Sequence, residues 1–195
     1  MIGSLNLGLR YLEVPKVACC AIKLALLEAD GVLCRPQEVH DARHWERIRD
    51  WSPNATFAFV RDPMTRLESA YREKLRTGKA QIIDPKRCKL GPEASFHDWV
   101  LWVTDQDPAN CNWHWRPQAR ILAGQTWDFL GKFEHLDEDW GRLREAHPGL
   151  PALKVINPSP RPLAPCEWDW ATFDRAAKFY RADLEQFGYP GWRNL

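Results

Sequence analysis

The clearest pattern of apolar and polar positions lies between Thr56 and Leu75. Residues 56–60 are uninterrupted apolar, aromatic or β-branched, which predicts a short strand buried on both faces of a parallel sheet. Asp62 can then cap a helix that starts at Pro63, because aspartate accepts from a free backbone N–H and proline has no N–H to leave unpaired. The pattern predicts a strand, a tight turn and a helix.

The predicted helix has one apolar face and one charged face. Glu68 and Arg72 are four residues apart, which predicts an ion pair on the surface. The apolar positions recur at helical spacing and comprise Leu67, Ala70, Tyr71 and Leu75.

An earlier segment repeats the same order of elements. Residues 5–14 contain a plausible first strand. The loop Pro15-Lys16-Val17-Ala18-Cys19-Cys20-Ala21 follows, and after it comes an amphipathic helix that ends at Gly31. Backbone amides in such a loop can bind a phosphate, and Lys16 adds a point charge. By itself the segment also fits an ordinary strand-to-helix turn with a surface lysine. It is not a Walker A loop, since G-x-x-x-x-G-K-[ST] does not occur.

The rest of the chain continues the alternation of strands and helices. We expect a second strand within Val32–Val39, a last sheet strand at Trp127–Glu134, and a closing helix over about Ala171–Phe187. The loops at Thr77–Ala94 and Asn157–Pro165 are the expected sites of acceptor specificity. Together these segments predict a single α/β domain over residues 1–195, with a mainly parallel sheet flanked by helices.

Arg61 is the first candidate for ligand binding. It lies at the carboxyl end of a predicted strand beside a helix N-terminus, which is where open α/β sheets bind anionic ligands. Ser69 follows Asp62 by about two helical turns, so its hydroxyl can face the same anion. From the turn alone, a structural Arg–Asp ion pair and a solvated serine explain these residues equally well.

The segment Phe59-Val-Arg-Asp-Pro-Met-Thr-Arg-Leu-Glu-Ser-Ala-Tyr-Arg-Glu-Lys74 closely resembles a motif of carbohydrate sulfotransferases. These enzymes use 3′-phosphoadenosine-5′-phosphosulfate (PAPS) and include chondroitin 4-O- and heparan 2-O-sulfotransferases. The resemblance implies a P-loop-like sulfotransferase fold. It also implies that Arg61 and Ser69 hold the 3′-phosphate.

The earlier loop resembles the 5′-phosphosulfate loop of the same family. This resemblance assigns Pro15, Lys16, Val17, Ala18, Cys19, Cys20 and Ala21 to the cofactor, and Lys23 matches the lysine that follows the loop in the family. The sequence departs from the family at Cys20 and Ala21, where hydroxyl residues are common. Each lost hydrogen bond to a charged phosphate is worth about 1.5–3 kcal/mol, so weaker cofactor binding is one expected consequence.

The resemblance extends over nearly the whole chain. His114-Trp-Arg-Pro-Gln118 fits a His-Trp-x-Pro-Gln segment, for which acceptor contact and a structural turn remain equal alternatives. Gly131-Lys-Phe-Glu134 resembles a family strand, and Asp183 through Tyr189 resembles the C-terminal Asp-x-x-x-Phe-Gly-Tyr.

His40 is the predicted general base. It precedes Arg61 by 21 residues, similar to the position of the catalytic histidine in heparan 2-O enzymes, and it is expected just after a strand. Lys16 is the second catalytic candidate, because it can offset charge on the leaving phosphate. His44 and His114 are tentative substrate contacts, and Glu38 and His114 are rival bases.

Composition narrows the function classes. The 195 residues carry a net charge of +1, so a nucleic-acid polycation is not indicated, although Arg61–Lys89 holds nine Lys/Arg against four Asp/Glu. The six cysteines show no C-x-x-C pair, which predicts reduced thiols, and no metal site is expected. No membrane-spanning apolar run or signal peptide is apparent, so the expected protein is soluble and cytoplasmic.

These observations predict sulfuryl transfer from PAPS to a hydroxyl, most simply of a carbohydrate, with 3′-phosphoadenosine 5′-phosphate (PAP) as product. Two alternatives stay open. One is a catalytically silent PAPS- or nucleotide-binding module, and the other is a kinase-like phosphoryl transferase. Acceptor identity and oligomeric state have no readable signal in the sequence.

Overall fold

The computed structural model describes residues 1–46, 48, 50–80, 88–156 and 166–191. Residues 81–87, within the predicted loop Thr77–Ala94, lie outside the described residues, as does the whole predicted loop Asn157–Pro165. The strands are β1 (Gly3–Ser4), β2 (Leu9–Leu12), β3 (Ala55–Val60) and β4 (Phe129–Lys132). The helices are α1 (Cys19–Ala29), α2 (Arg43–Glu46), α3 (Pro63–Ala70), α4 (Phe96–Thr104), α5 (Gln118–Ile121), α6 (Leu136–Ala146), α7 (Trp170–Phe179) and α8 (Arg181–Phe187).

The chain divides into two compact units. One comprises Met1–Val60 with Gly124–Arg161, and the other comprises Arg61–Ala123 with Pro162–Leu195. The single domain expected over residues 1–195 stays a prediction. Among the described residues, each helix is too short or too polar to cross a bilayer.

The first unit contains the sheet, in the order β1-β2-β3-β4. β1 pairs antiparallel with β2, whereas β2–β3 and β3–β4 are parallel, so the predicted mainly parallel α/β architecture is confirmed. The sheet packs through aromatic side chains, since Tyr11 stacks on Phe57 at 5.2 Å and Trp140 of α6 lies 6.1 Å from Phe57. Gly131 of β4 leaves room for the ring of Phe59, which a Cβ would meet at 2.2 Å.

One strand prediction in this unit is confirmed and one is wrong. The predicted strand within residues 5–14 is β2, and the chain between the two-residue β1 and β2 turns through Gly8 (φ 68°). The predicted strand at Val32–Val39 is wrong, because this segment forms turns. Pro36 has no N–H to donate to a ladder, and Glu38 N instead donates to Arg35 O at 2.9 Å. His40 therefore follows a turn and not a strand.

The second unit is helical. The predicted turn and helix are confirmed, because Asp62 accepts from Thr65 N at 2.9 Å and Pro63 starts α3. The helix continues as one π-helical turn, Tyr71–Leu75. The predicted Glu68–Arg72 ion pair is present at 3.2 Å. The core of this unit includes the buried side chains of Leu67, Ala70, Leu75, Trp99, Val103, Trp115, Phe173 and Tyr180.

The predicted closing helix is two helices. Tyr180, with φ −97° and ψ 17°, separates α7 from α8. Its ring is buried, and its hydroxyl donates to the Trp115 carbonyl at 2.7 Å. The break thus follows from a tertiary contact that the apolar spacing along the chain does not encode.

Candidate functional site

The loop after β2 has an unusual backbone. β2 and β3 are adjacent and parallel, so the chain leaves both strands at the same edge of the sheet. Among the described residues, the non-glycine residues with left-handed φ are Lys16 (71°) and Ala18 (51°), both in this loop. Left-handed L-residues cost roughly 1–2 kcal/mol each and concentrate at functional sites. Such turns make concave arrays of N–H groups that bind anions.

The loop leads directly into α1, an 11-residue helix that begins at Cys19. Ala18 occupies the N-cap position, where no side chain accepts from the first N–H groups, and the first turn carries no acidic residue. A helix N-terminus without such a cap attracts an anion through its N–H groups and its dipole. This donor set fits the phosphosulfate group that the sequence resemblance assigns to the loop.

A buried ion pair lies beside this loop. Lys23 Nζ is 2.6 Å from Glu13 Oε1, and the two side chains are 4% and 9% exposed. Lys23 Nζ also lies 2.9 Å from His40 Nδ1, and Glu13 Oε1 is 4.0 Å from the same nitrogen. Val39 positions His40, because its side chain is buried among Leu24, Leu27, Trp45 and Ile48.

These partners fix the tautomer of His40. An ammonium group has only donors, so His40 Nδ1 accepts from Lys23 and the ring proton of the neutral imidazole is assigned to Nε2. Cys20 Sγ lies 3.2 Å from Nε2. The four side chains form a chain of contacts in the order Glu13, Lys23, His40 and Cys20.

The two neighbouring thiols differ in ionisation. A hydrogen bond from Cys19 and then one from His40 lower the pKa of Cys20 well below the usual thiol range, against the opposing effect of burial. The pKa of Cys19 is raised by its hydrogen bond to Cys20 and by burial. The opposite directions of the two pKa shifts favour the thiolate at Cys20 over a thiolate at Cys19.

The rival base Glu38 and the tentative contact His44 have other partners. Glu38 Oε1 accepts from Arg35 Nε at 3.1 Å, and this ion pair lowers the pKa of Glu38. His44 lies on α2 as predicted, with Nε2 3.6 Å from Cys34 Sγ. Within the described ranges, no group of three or more histidine, cysteine or acidic side chains is arranged to hold a metal ion.

In the second unit, Arg61 occupies the turn between β3 and α3. Its side chain is half-buried, and Nε donates to Thr65 Oγ1 at 3.1 Å. Ser69 is half-buried on α3.

Gln118 holds the main chain of Arg61. Its Oε1 accepts from Arg61 N at 2.9 Å, and its Nε2 donates to Arg61 O at 2.7 Å. Asp183 is fully buried and accepts from Gln118 N at 2.9 Å and Ala119 N at 2.8 Å. Burial raises the pKa of Asp183, whereas these backbone hydrogen bonds act against that rise. The His-Trp-x-Pro-Gln segment therefore has a structural role through Gln118.

His114 has a partner within its own turn. Its Nδ1 lies 2.8 Å from Asn112 Oδ1 within the same turn. Its predicted contact with the acceptor stays a prediction.

Comparison with known proteins identifies the family. A family model described as "Sulfotransferase family" matches residues 6–190. The chain belongs to this sulfotransferase family. The match confirms the resemblance that the two phosphate motifs indicated.

Three curated relatives are carbohydrate sulfotransferases. The chain is 28% identical to carbohydrate sulfotransferase 14 of Mus musculus over 92% of its own length and 57% of the relative. It is 30% identical to carbohydrate sulfotransferase 14 of Danio rerio over 69% and 44%, and 28% identical to carbohydrate sulfotransferase 12 of Mus musculus over 96% and 59%. The chain thus spans less than two thirds of these relatives. No solved structure matches.

The structure brings two of the predicted site residues into contact and shows further residues that support the site. His40 lies against Cys20 of the predicted phosphosulfate loop, which the spacing along the chain did not predict. Sequence reasoning missed Glu13 and the clamping roles of Gln118 and Asp183. The roles of Gln118 and Asp183 could have been suspected, because both residues lie in segments that resemble the family. For Glu13 the only indication in the sequence is a lone carboxylate between apolar residues at a strand end.

Proposed function

We propose that this sulfotransferase-family chain transfers a sulfuryl group from PAPS to a hydroxyl of a carbohydrate acceptor. The observation that carries the proposal is the family match over residues 6–190, which includes both phosphate motifs. Carbohydrate is proposed as the acceptor because the relatives named above are carbohydrate sulfotransferases.

Two sets of residues are proposed to hold the cofactor. Pro15–Ala21, with its left-handed backbone and the open N-terminus of α1, would hold the 5′-phosphosulfate. Arg61 and Ser69 would hold the 3′-phosphate, since a guanidinium and a hydroxyl are its natural donors. When bound, PAPS supplies the sulfuryl group that the acceptor hydroxyl takes up.

Lys16 and His40 are the proposed catalytic residues. Lys16 would offset negative charge at the loop, where the α1 amides act in the same sense. His40 is proposed to take the proton of the acceptor hydroxyl. Because Nδ1 accepts from Lys23 and Nε2 carries the ring proton, this role requires Lys23 to release Nδ1 as the acceptor binds.

A second candidate function is a silent PAPS- or nucleotide-binding module. It is favoured by Cys20 and Ala21, which stand where hydroxyl donors are common in the family. A thiolate at Cys20 would repel a phosphate and has no proton to donate, and the Ala21 side chain has no donor. A phosphoryl transferase is the third candidate. It would transfer phosphate from ATP, which the first two candidates would not do.

A labelled-sulfate assay tests these candidates. The protein is incubated with sulfur-labelled PAPS and pools of desulfated glycosaminoglycans and smaller sugars, and PAP binding is measured by calorimetry on the same sample. We expect label in an acceptor pool and none transferred from phosphate-labelled ATP. PAP binding without transfer to any pool would favour the silent module, and transfer from ATP alone would contradict the proposal.

A further inference from the structure

Cys20 combines a reactive side chain with access from solvent. It lies in the first turn of α1 and is half-buried, and the side chain of its partner His40 is 51% exposed. The distance from Cys20 Sγ to His40 Nε2 is 3.2 Å, which is hydrogen-bonding distance for sulfur. A reagent from solution can thus reach the thiol and the ring that contacts it.

The groups around Cys20 favour its thiolate. Lys23 donates to His40 Nδ1, so the Nε2 proton points to sulfur and stabilises negative charge there. Cys19 donates a second hydrogen bond, and the positive charge of Lys23 acts in the same direction. Glu13 is the opposing charge, but it is paired with Lys23 at 2.6 Å. The N-terminal end of the α1 dipole adds to the effect.

The chain contains a natural control for this arrangement. Cys34 and His44 are the same residue types in contact, with Sγ and Nε2 3.6 Å apart, yet burial and Glu38 raise the pKa of Cys34. Burial also raises the pKa of Cys111, and that of Cys166 to about 11, and Cys88 is buried. The two cysteine–histidine contacts thus go with opposite pKa shifts, so the groups around Cys20 matter as well as the contact itself.

We propose that Cys20 is an activated thiolate and a modification site for hydroperoxides and soft alkylating electrophiles, with His40 as its positioning residue. With a hydroperoxide, the thiolate attacks one oxygen and the O–O bond breaks. The leaving hydroxide or alkoxide takes a proton from solvent. Cys20 is oxidised by two electrons to the sulfenic acid, and the hydroperoxide is reduced to water or alcohol. Alkylation forms an S–C bond and releases the leaving group as its anion.

The first test compares the six cysteines in one sample. The folded protein is treated briefly with iodoacetamide across pH 5–9, and the labelled fraction of each cysteine is measured by peptide mass spectrometry. Each unit by which a thiol pKa falls toward the ambient pH raises the fraction present as thiolate about tenfold, whereas the intrinsic nucleophilicity of that thiolate falls about threefold. We therefore expect Cys20 to react at least roughly tenfold faster than Cys34 at pH 5.5. Its rate midpoint should lie below the usual thiol value of about 8.5. Equal rates for Cys20 and Cys34 would overturn the proposal.

The second test separates positioning by His40 from general stability. His40→Ala should slow Cys20 labelling at pH 5.5 by roughly tenfold and move its pH midpoint upward, whereas His40→Gln, which keeps an N–H donor, should restore part of the rate. His44→Ala is the matched control, and circular dichroism checks that all variants fold. An unchanged pH midpoint in folded His40→Ala, or the same loss in His44→Ala, would contradict the role of His40.

A third measurement addresses oxidation. Hydrogen peroxide followed by dimedone should label Cys20 as the sulfenic acid before the other cysteines, and Cys20→Ser should lose that label. Dimedone labelling spread evenly over the four partly buried cysteines would remove the hydroperoxide part of the proposal. These readouts need no sulfate transfer, so they are independent of the proposed function.

Discussion

At the scale of single residues, Arg61 is the most specific of the predicted ligand contacts. Its main chain is fixed by Gln118 and its Nε by Thr65, so the half-buried guanidinium has a defined position. A residue held in this way loses little side-chain entropy when it binds an anion. Its interaction should therefore contribute strongly to recognition of the 3′-phosphate.

Arg61→Ala should weaken PAP binding far more than binding of the analogue that lacks the 3′-phosphate. A charge-assisted hydrogen bond is worth about 1.5–3 kcal/mol, which corresponds to a roughly 10- to 150-fold loss for PAP. Calorimetry with both ligands measures this. Arg43→Ala, an exposed arginine paired with Asp41, serves as control. Equal losses for the two ligands would contradict the assignment of Arg61.

His40 is the predicted base, and its two ring nitrogens have separate partners. His40→Ala should lower the rate of sulfate transfer by about 10²–10⁴-fold, since a positioned base contributes that much, while PAP affinity stays near wild type. Steady-state kinetics and calorimetry measure the two quantities, with the exposed His135→Ala as control. Near-full turnover of His40→Ala, with loss in Glu38→Gln or His114→Ala, would reassign the base.

At the scale of elements, the protein uses the same strand, turn and helix order twice, but it closes the two turns differently. No side chain caps the N-terminus of α1, and the loop before it contains two residues with left-handed backbone conformation. The turn before α3 has the Asp62 cap and is held by Gln118 from outside. The first arrangement fits the proposed phosphosulfate site, and the second fixes the position of an arginine.

Gln118→Leu tests the external clamp. The substitution leaves Arg61 N and O and the buried Asp183 without hydrogen bonds from this side chain, and each unsatisfied buried group costs about 1–3 kcal/mol. We expect the free energy of unfolding to fall by about 2–4 kcal/mol in urea titrations. Gln125→Leu, at an exposed glutamine that accepts from Arg10, should change it by less than about 0.5 kcal/mol. A similarly small change in Gln118→Leu would mean that Gln118 does not hold the turn.

Corrections at this scale share one cause. Apolar residues at Val32–Val39 suggested a strand, yet Val39 is buried against α1 side chains and Trp45 while its neighbours form turns. The apolar spacing through Tyr180 suggested one helix, yet the Tyr180 hydroxyl reaches the Trp115 carbonyl and the helix breaks. Apolar spacing predicts that a side chain is buried. It does not specify the partner against which the side chain packs.

At the scale of the whole molecule, the family match covers both units, from residue 6 to residue 190. The predicted phosphosulfate loop lies in Met1–Val60, whereas the predicted 3′-phosphate contacts Arg61 and Ser69 lie in Arg61–Ala123. The net charge of +1 gives no strong overall field. The proposed anion binding would therefore come from local donors, namely the loop amides, Lys16 and the arginine after β3.

The sequence by itself determined the sheet class, the turn at Asp62–Pro63 and the two phosphate motifs. These depend on contiguous patterns: a buried strand needs an apolar run, a helix start needs a cap, and a phosphate loop needs a short run of suitable backbone and charge. Only the tertiary structure decided that His40 contacts Cys20, that Lys23 is paired with Glu13, and that Gln118 and Asp183 hold Arg61. Those contacts join residues 10 to 65 positions apart. Their geometry depends on how the intervening chain packs, which no local pattern specifies.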